Sequence, residues 1–244
     1  NEDQFNPTPG PPPNPNFHQW AGVIVSCLPY LEENAVYDRF KTNIPLSARV
    51  YGPANWWWEA NANVAAQAEL PALLCPTAPR EAPSGAVSFR IYPRFKDLET
   101  FLYTADIFKP EDAPFGVTHY MGNRGVTGRL GPGFALSDRV NPTQSRVTDT
   151  ELLGPFPVRQ EVAAGMISDG LSKTLMFGEC PGSIGTGIAL PYGTFSGLVV
   201  GHAWAGDTTL ATVSGLFSSR GTQESDAFKF SSLHSGNIVL FATC

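Results

Sequence analysis

The sequence predicts an α+β fold in which short N-terminal helices are followed by a mainly antiparallel β-sheet with long loops. Charged residues make up only 16% of the 244-residue chain, and 24 glycines and 22 prolines interrupt it repeatedly. Apolar residues recur at helical spacing only in the first third of the chain, and short runs of strand length follow. This distribution favours strands and loops over a helical bundle.

Two helices are predicted, over residues 29–41 and 56–70. In the first, Leu31 and Phe40 belong to an apolar series at roughly helical spacing, with charged residues between its members. The second is rich in Ala, Asn, Gln and Glu. Pro71 ends its pattern, because a proline disfavours helical geometry in the residue before it.

The predicted strands are short runs of apolar or alternating residues, cut by turn residues. They cover residues 86–92, 116–121, 175–178, 194–200 and 237–242. Between them, residues 122–157 carry many Gly, Pro, Asn, Ser and Thr residues and are predicted to be surface loops.

Residues 1–16 are predicted to form an extended arm, and residues 17–244 a single α+β globular head. Six prolines in the arm fix φ and remove backbone donors, so the arm cannot form a hydrogen-bonded element by itself. Because the sequence starts at Asn1 instead of Met, we expect it to begin after processing or truncation, so that any export signal or membrane anchor would not be included in it.

Charge and hydropathy exclude two classes of partner. The net charge is −6 and the basic residues are scattered singly, so no basic stripe could neutralise a phosphate backbone, and no nucleic-acid partner is expected. The longest apolar runs fall far short of the ~20 residues that span a bilayer.

The four cysteines are widely spaced and form no Cys-x-x-Cys pair, so they do not indicate a zinc knuckle or redox motif. Two disulfides formed in an oxidising compartment are the preferred interpretation, with Cys75 paired to Cys180 and Cys27 to Cys244. Four buried thiols are the alternative, since free cysteine packs as a small hydrophobe.

Several segments, taken in order, resemble the large planctomycete family known as domain of unknown function 1559. They are PYLE at 29–32, LCPT at 74–77, YMGN at 120–123, ISDGLSKT running into MFGE at 167–179, and SLHSGN running into LFA at 232–242. Each motif is weak alone, but the ordered set covers most of the chain.

The resemblance implies a pilin-like head. Family members typically begin with a prepilin-like segment and a long hydrophobic helix, which would be the only membrane attachment. They usually continue past the last strand with Asp-Gly and a return strand, where this chain has Thr243 and Cys244. We therefore expect the C-terminal strand either to lie inside its sheet or to be completed by a neighbouring subunit, because an unpaired edge exposes backbone donors and acceptors.

Two motifs could hold ligands, but turns explain them better. Asp169, Gly170 and Ser172 suit a tight turn before a core strand. His234 precedes a Ser-Gly-Asn turn with Gly236 and Asn237, where hydrogen bonding to backbone is the expected role. No two histidines stand at a zinc-binding spacing, and no nucleophile elbow or phosphate loop occurs, so no catalytic residue, metal site or cofactor is predicted.

Three consecutive tryptophans, Trp56, Trp57 and Trp58, are the most unusual local feature. On a helix they spread over about 200° of arc, so they cannot all face one core. At least one should lie at a surface, a subunit contact or a sugar-stacking site, and Trp204 is a further candidate contact; burial under a loop is the alternative.

These observations lead to three hypotheses. The first is an extracellular or cell-surface structural protein, a pilin-like or pseudopilin-like subunit that assembles with copies of itself or with related subunits and is not an enzyme. The second is a surface module that binds a glycan or solute through its tryptophans. The third is a metal-assisted hydrolase that uses His and Asp.

Overall fold

The computed structural model has the α+β class that the sequence predicts, with few helices and mostly antiparallel strands. It describes residues 21–44, 46, 56–78, 86–94, 100–108, 114–125, 154–156, 162–184, 188–190, 193–195, 199–210, 212, 215–217, 225–234 and 241–243. The predicted arm over 1–16, the turn residues Gly236 and Asn237, and Cys244 lie outside these residues.

The first helical region begins earlier than predicted and is broken. Helix α1 spans Val23–Cys27, a 3₁₀ helix spans Leu28–Leu31, and α2 spans Asn34–Phe40. The prediction of one helix over 29–41 is wrong because Glu32 adopts the left-handed conformation, with φ of 65°, which a right-handed helix cannot include.

The second predicted helix is also divided. A 3₁₀ helix spans Trp56–Trp58, and α3 spans Ala60–Ala65. Glu59 caps α3, since its side-chain carboxylate accepts a hydrogen bond of 2.9 Å from the Ala62 N–H. Helix α3 ends before the predicted boundary, and the proline there opens a further 3₁₀ helix, Pro71–Leu73.

These helices pack around an aromatic core that the sheet region completes. The Trp56 ring lies 4.8 Å from Phe115, and the Phe40 ring lies 5.9 Å from Trp204, measured between centroids. Trp204 is fully buried, and its indole N–H donates a hydrogen bond of 2.9 Å to the Ala68 carbonyl. Its prediction as a ligand contact is therefore wrong, because its ring packs in the core.

Twelve strands are present among the described residues. They are β1 Ala86–Arg94, β2 Thr100–Phe108, β3 Val117–Thr118, β4 Tyr120–Asn123, β5 Leu175–Glu179, β6 Gly182–Ser183, β7 Ile188–Leu190, β8 Gly193–Phe195, β9 Val199–Val200, β10 His202–Ala203, β11 Thr209–Leu210 and β12 Phe241–Thr243. The five predicted runs all contain strands, whereas β2, the partner of β1 in a long hairpin, was not predicted.

The described strands form two four-stranded sheets and two short ladders. The first sheet has the order β2-β1-β10-β3, and the second has the order β11-β4-β5-β12. Pairing is antiparallel except between β1 and β10 and between β4 and β11. Within the described residues β12 pairs only with β5, at one end of its sheet, so the predicted position inside the sheet is not observed.

Candidate functional site

Three polar side chains from distant parts of the chain converge beside the end of β5. Cys75 follows the 3₁₀ helix Pro71–Leu73, Glu179 is the last residue of β5, and His234 follows the buried Leu233. The His234 Nε2 atom lies 3.1 Å from Glu179 Oε1 and 3.6 Å from Cys75 Sγ. All three ligand-type atoms lie within 4.8 Å of one another.

Backbone hydrogen bonds hold each of these residues in place. The Cys75 N–H donates to His119 Nδ1 at 2.9 Å, and the Glu179 carbonyl accepts from the Ser231 N–H at 2.9 Å. The His234 N–H donates to a serine hydroxyl two residues earlier, at 3.1 Å. The three side chains are thus attached to a fixed scaffold rather than to free loop backbone.

Burial makes this cluster electrostatically unusual. Glu179 is 1% exposed and Cys75 is 5% exposed, whereas the His234 side chain is 27% exposed. A buried carboxylate requires a cation or several hydrogen-bond donors to offset its lost hydration. Of the three side chains, His234 is the one that solvent reaches most easily.

His119 contacts the backbone of Cys75 and carries a neutral ring. Burial lowers its pKa to about 4, although the nearby Glu179 carboxylate acts in the opposite direction. Because Nδ1 accepts the hydrogen bond from Cys75, the ring proton belongs on Nε2.

A second thiol and imidazole, those of Cys180 and His202, lie close together nearby, and burial keeps both of them uncharged. Cys180 Sγ lies 3.4 Å from His202 Nε2. Burial raises the pKa of the Cys180 thiol to about 12 and lowers the pKa of His202 to about 3. Both groups are therefore neutral at ordinary pH, and a neutral buried thiol is a poor nucleophile.

The three converging side chains do not form a catalytic triad. In such a triad the thiol and the carboxylate contact opposite ring nitrogens of the histidine, so that the ring can take a proton on one side while being oriented from the other. Here Cys75 and Glu179 both face Nε2 of His234. Ligand atoms that converge on one point are typical of a metal site.

The motif residues predicted as turns have different surroundings. Gly170 has φ of +87°, and its carbonyl accepts a hydrogen bond of 3.1 Å from the Thr174 hydroxyl. Asp169 and Ser172 are exposed beside it. Among the described residues, the His234 Nε2 atom faces the buried Glu179 carboxylate, a contact that the sequence did not predict.

The predicted disulfides are not formed. Cys27, Cys75 and Cys180 carry free thiols, so the pairing of Cys75 with Cys180 is wrong and Cys27 forms no disulfide, while Cys244 lies outside the described residues. The physical reason is that each buried sulfur lies beside a histidine ring and not beside a second sulfur. Cys75 lies next to His234, and Cys180 lies next to His202.

The three consecutive tryptophans differ in exposure, as helical geometry requires. Trp56 is fully buried, Trp57 is half-buried, and Trp58 is 58% exposed. The Trp57 ring stands edge-on to both neighbours, at 5.3 Å from Trp56 and 6.3 Å from Trp58. The buried ring therefore supports the other two.

Comparison with known proteins identifies the family. A family model described as protein of unknown function, DUF1559 (SBP_bac_10), matches residues 2–242. The chain belongs to the DUF1559 family. No curated protein and no solved structure matches it.

Three of the segments that resemble DUF1559 meet at the cluster described above. The LCPT segment supplies Cys75, the MFGE segment supplies Glu179, and the SLHSGN segment supplies His234. The sequence analysis named Cys75 and His234 as candidates but did not combine them, and it included Glu179 only as part of the MFGE motif. Separations of 159 and 55 positions match no short ligand spacing, so only the shared membership of the motif set could have suggested the grouping.

Proposed function

We propose that this DUF1559 protein is a structural protein of the cell surface or extracellular space, a pilin-like or pseudopilin-like subunit that self-assembles or decorates a filament. The observation that carries the proposal is the exposed Trp58 ring, fixed on a short helix whose first residue is buried in the core. A rigid exposed tryptophan contributes a large contact area at little entropic cost, as in the central residues of protein interfaces.

The position of β12 supports the same role. It lies at the end of the second sheet as the described strands define it. An edge strand presents backbone donors and acceptors that can pair with a strand of another subunit. Strand addition and the Trp58 contact would together join copies of this chain or related pilin-like subunits without any catalytic step.

None of the helices in the described ranges is long and apolar enough to cross a membrane. Cell fractionation with an antibody against the native protein tests the location: we expect it at the cell surface or in the medium, and retention in the cytoplasm would contradict the proposal.

Self-association is tested by light scattering on the purified chain over a wide concentration range. We expect a concentration-dependent rise in mass that Trp58→Ser weakens by at least about 30-fold, which corresponds to a central interface residue worth about 2 kcal/mol. Met166→Ser is the matched control, because Met166 is 64% exposed on another element. A strict monomer at all concentrations, or equal effects of the two variants, would contradict the role.

A glycan-binding module is the second candidate, and the same exposed ring favours it, since tryptophan faces stack on sugars. Glycan binding by a monomer, abolished by Trp58→Ser and retained by Met166→Ser, would replace the structural role with this one.

A further inference from the structure

We propose that Cys75, Glu179 and His234 form a binding site for one Zn²⁺ ion, with a fourth position open to solvent on the side of His234. This site goes beyond the proposed structural role and does not depend on it.

The distances suit a tetrahedral ion. Zinc bonds of about 2.3 Å to sulfur and about 2.0–2.1 Å to nitrogen place those two ligand atoms about 3.5 Å apart at a tetrahedral angle. Cys75 Sγ and His234 Nε2 are 3.6 Å apart, and His234 Nε2 and Glu179 Oε1 are 3.1 Å apart. A small movement of side chains would therefore bring all three atoms to one ion.

The donor set selects the class of metal. A thiolate is a soft ligand that Mg²⁺ and Ca²⁺ do not favour, whereas zinc accepts sulfur, imidazole nitrogen and carboxylate oxygen together. The ion would also offset the charge of Glu179, which is 1% exposed. His234 Nε2 faces both the thiol and the carboxylate, so a single ion at that point could contact all three ligand atoms.

The surroundings are organised as a metal site requires. The Thr77 hydroxyl lies 3.0 Å from Cys75 Sγ, where it can donate to a metal-bound thiolate. The backbones of Cys75 and Glu179 are fixed by hydrogen bonds to His119 and Ser231. Three protein ligands with a partly exposed histidine leave room for a water or a ligand at the fourth position, as in exchangeable and catalytic zinc sites.

The test uses the full chain in reducing buffer, stripped of metal by a chelator and titrated with Zn²⁺ against a chromophoric competitor. We expect one ion per chain. Cys75→Ser, Glu179→Gln and His234→Gln should each weaken binding by more than about 100-fold, the upper range for losing even an outer partner of a ligand. Cys27→Ser is the matched control, because Cys27 is a free thiol on helix α1 and is not part of the cluster. It should bind as tightly as the unmodified chain.

Cobalt supplies a second readout that identifies the ligands. Co²⁺ in the unmodified chain should give a thiolate-to-cobalt charge-transfer band and the strong visible absorption of a four-coordinate ion, and Cys75→Ser should remove the charge-transfer band. His234 is partly exposed, so His234→Gln keeps the test valid if a buried variant fails to fold. Failure to bind a stoichiometric ion, a band that persists in Cys75→Ser, or equal weakening by Cys27→Ser would overturn the proposal.

Discussion

His202 is a fully buried histidine on β10, and its surroundings keep it neutral. Cys180 Sγ lies 3.4 Å from its Nε2 atom, a positive charge on His119 would oppose its own, and a backbone hydrogen bond involving Ala227 acts the other way. Burial is the largest effect and lowers its pKa to about 3. In the unfolded chain its pKa returns to the ordinary value of 6.5.

This difference makes stability depend on pH. Below pH 6.5 the unfolded state binds a proton that folded His202 does not accept until about pH 3, so the contribution is fully present above pH 6.5 and is lost as pH falls. His202 alone should lower the free energy of unfolding by about 1.4 kcal/mol per pH unit once the pH is well below 6.5. Urea denaturation with chelator present, at pH 7 and pH 5, should show a smaller fall for His202→Gln. An unchanged pH slope would refute the assignment.

At the scale of elements, the break between the 3₁₀ helix and α2 depends on one residue. Glu32 is exposed and adopts φ of 65°, while Glu33, the N-cap of α2, has φ of −96°. A left-handed conformation costs a residue with a Cβ about 1–2 kcal/mol, and glycine adopts it without that cost.

Glu32→Gly should therefore raise the free energy of unfolding by about 0.5–1 kcal/mol, after the greater freedom of glycine in the unfolded chain is subtracted. The neighbouring Glu33→Gly is the control. It should lower the free energy of unfolding, because Glu33 has an ordinary negative φ and glycine removes no strain there. Thermal and urea unfolding of both variants measure this, and equal losses would show that the left-handed residue is not strained.

The proposed zinc ion would act on the whole molecule, because it would join the segment after the helices, the end of β5 and the segment before β12. An ion that binds only the folded chain raises the free energy of unfolding by about 2.7 kcal/mol at 100 times its dissociation constant. Calorimetry should show a melting temperature that rises with Zn²⁺ in the unmodified chain and in Cys27→Ser, but not in Cys75→Ser. A melting temperature independent of Zn²⁺ would contradict this coupling.

At the same scale, the sequence by itself determined the α+β class, the positions of strands such as β1 and β5, and the family. These depend on local properties, because the apolar period, turn residues and ordered motifs are read along short stretches of chain. They do not report the left-handed Glu32 that divides a helix, because an exposed glutamate carries no signal for that conformation.

Only the tertiary structure decided which polar groups meet. Cys75 was predicted to bond to Cys180, yet packing places each sulfur beside a histidine, and Trp204 enters the core instead of the surface. Glu179 looks like an ordinary strand terminus until His234, 55 positions later, is placed beside it. Such contacts arise from the pairing and packing of whole elements, and separation along the chain does not determine distance in the folded molecule.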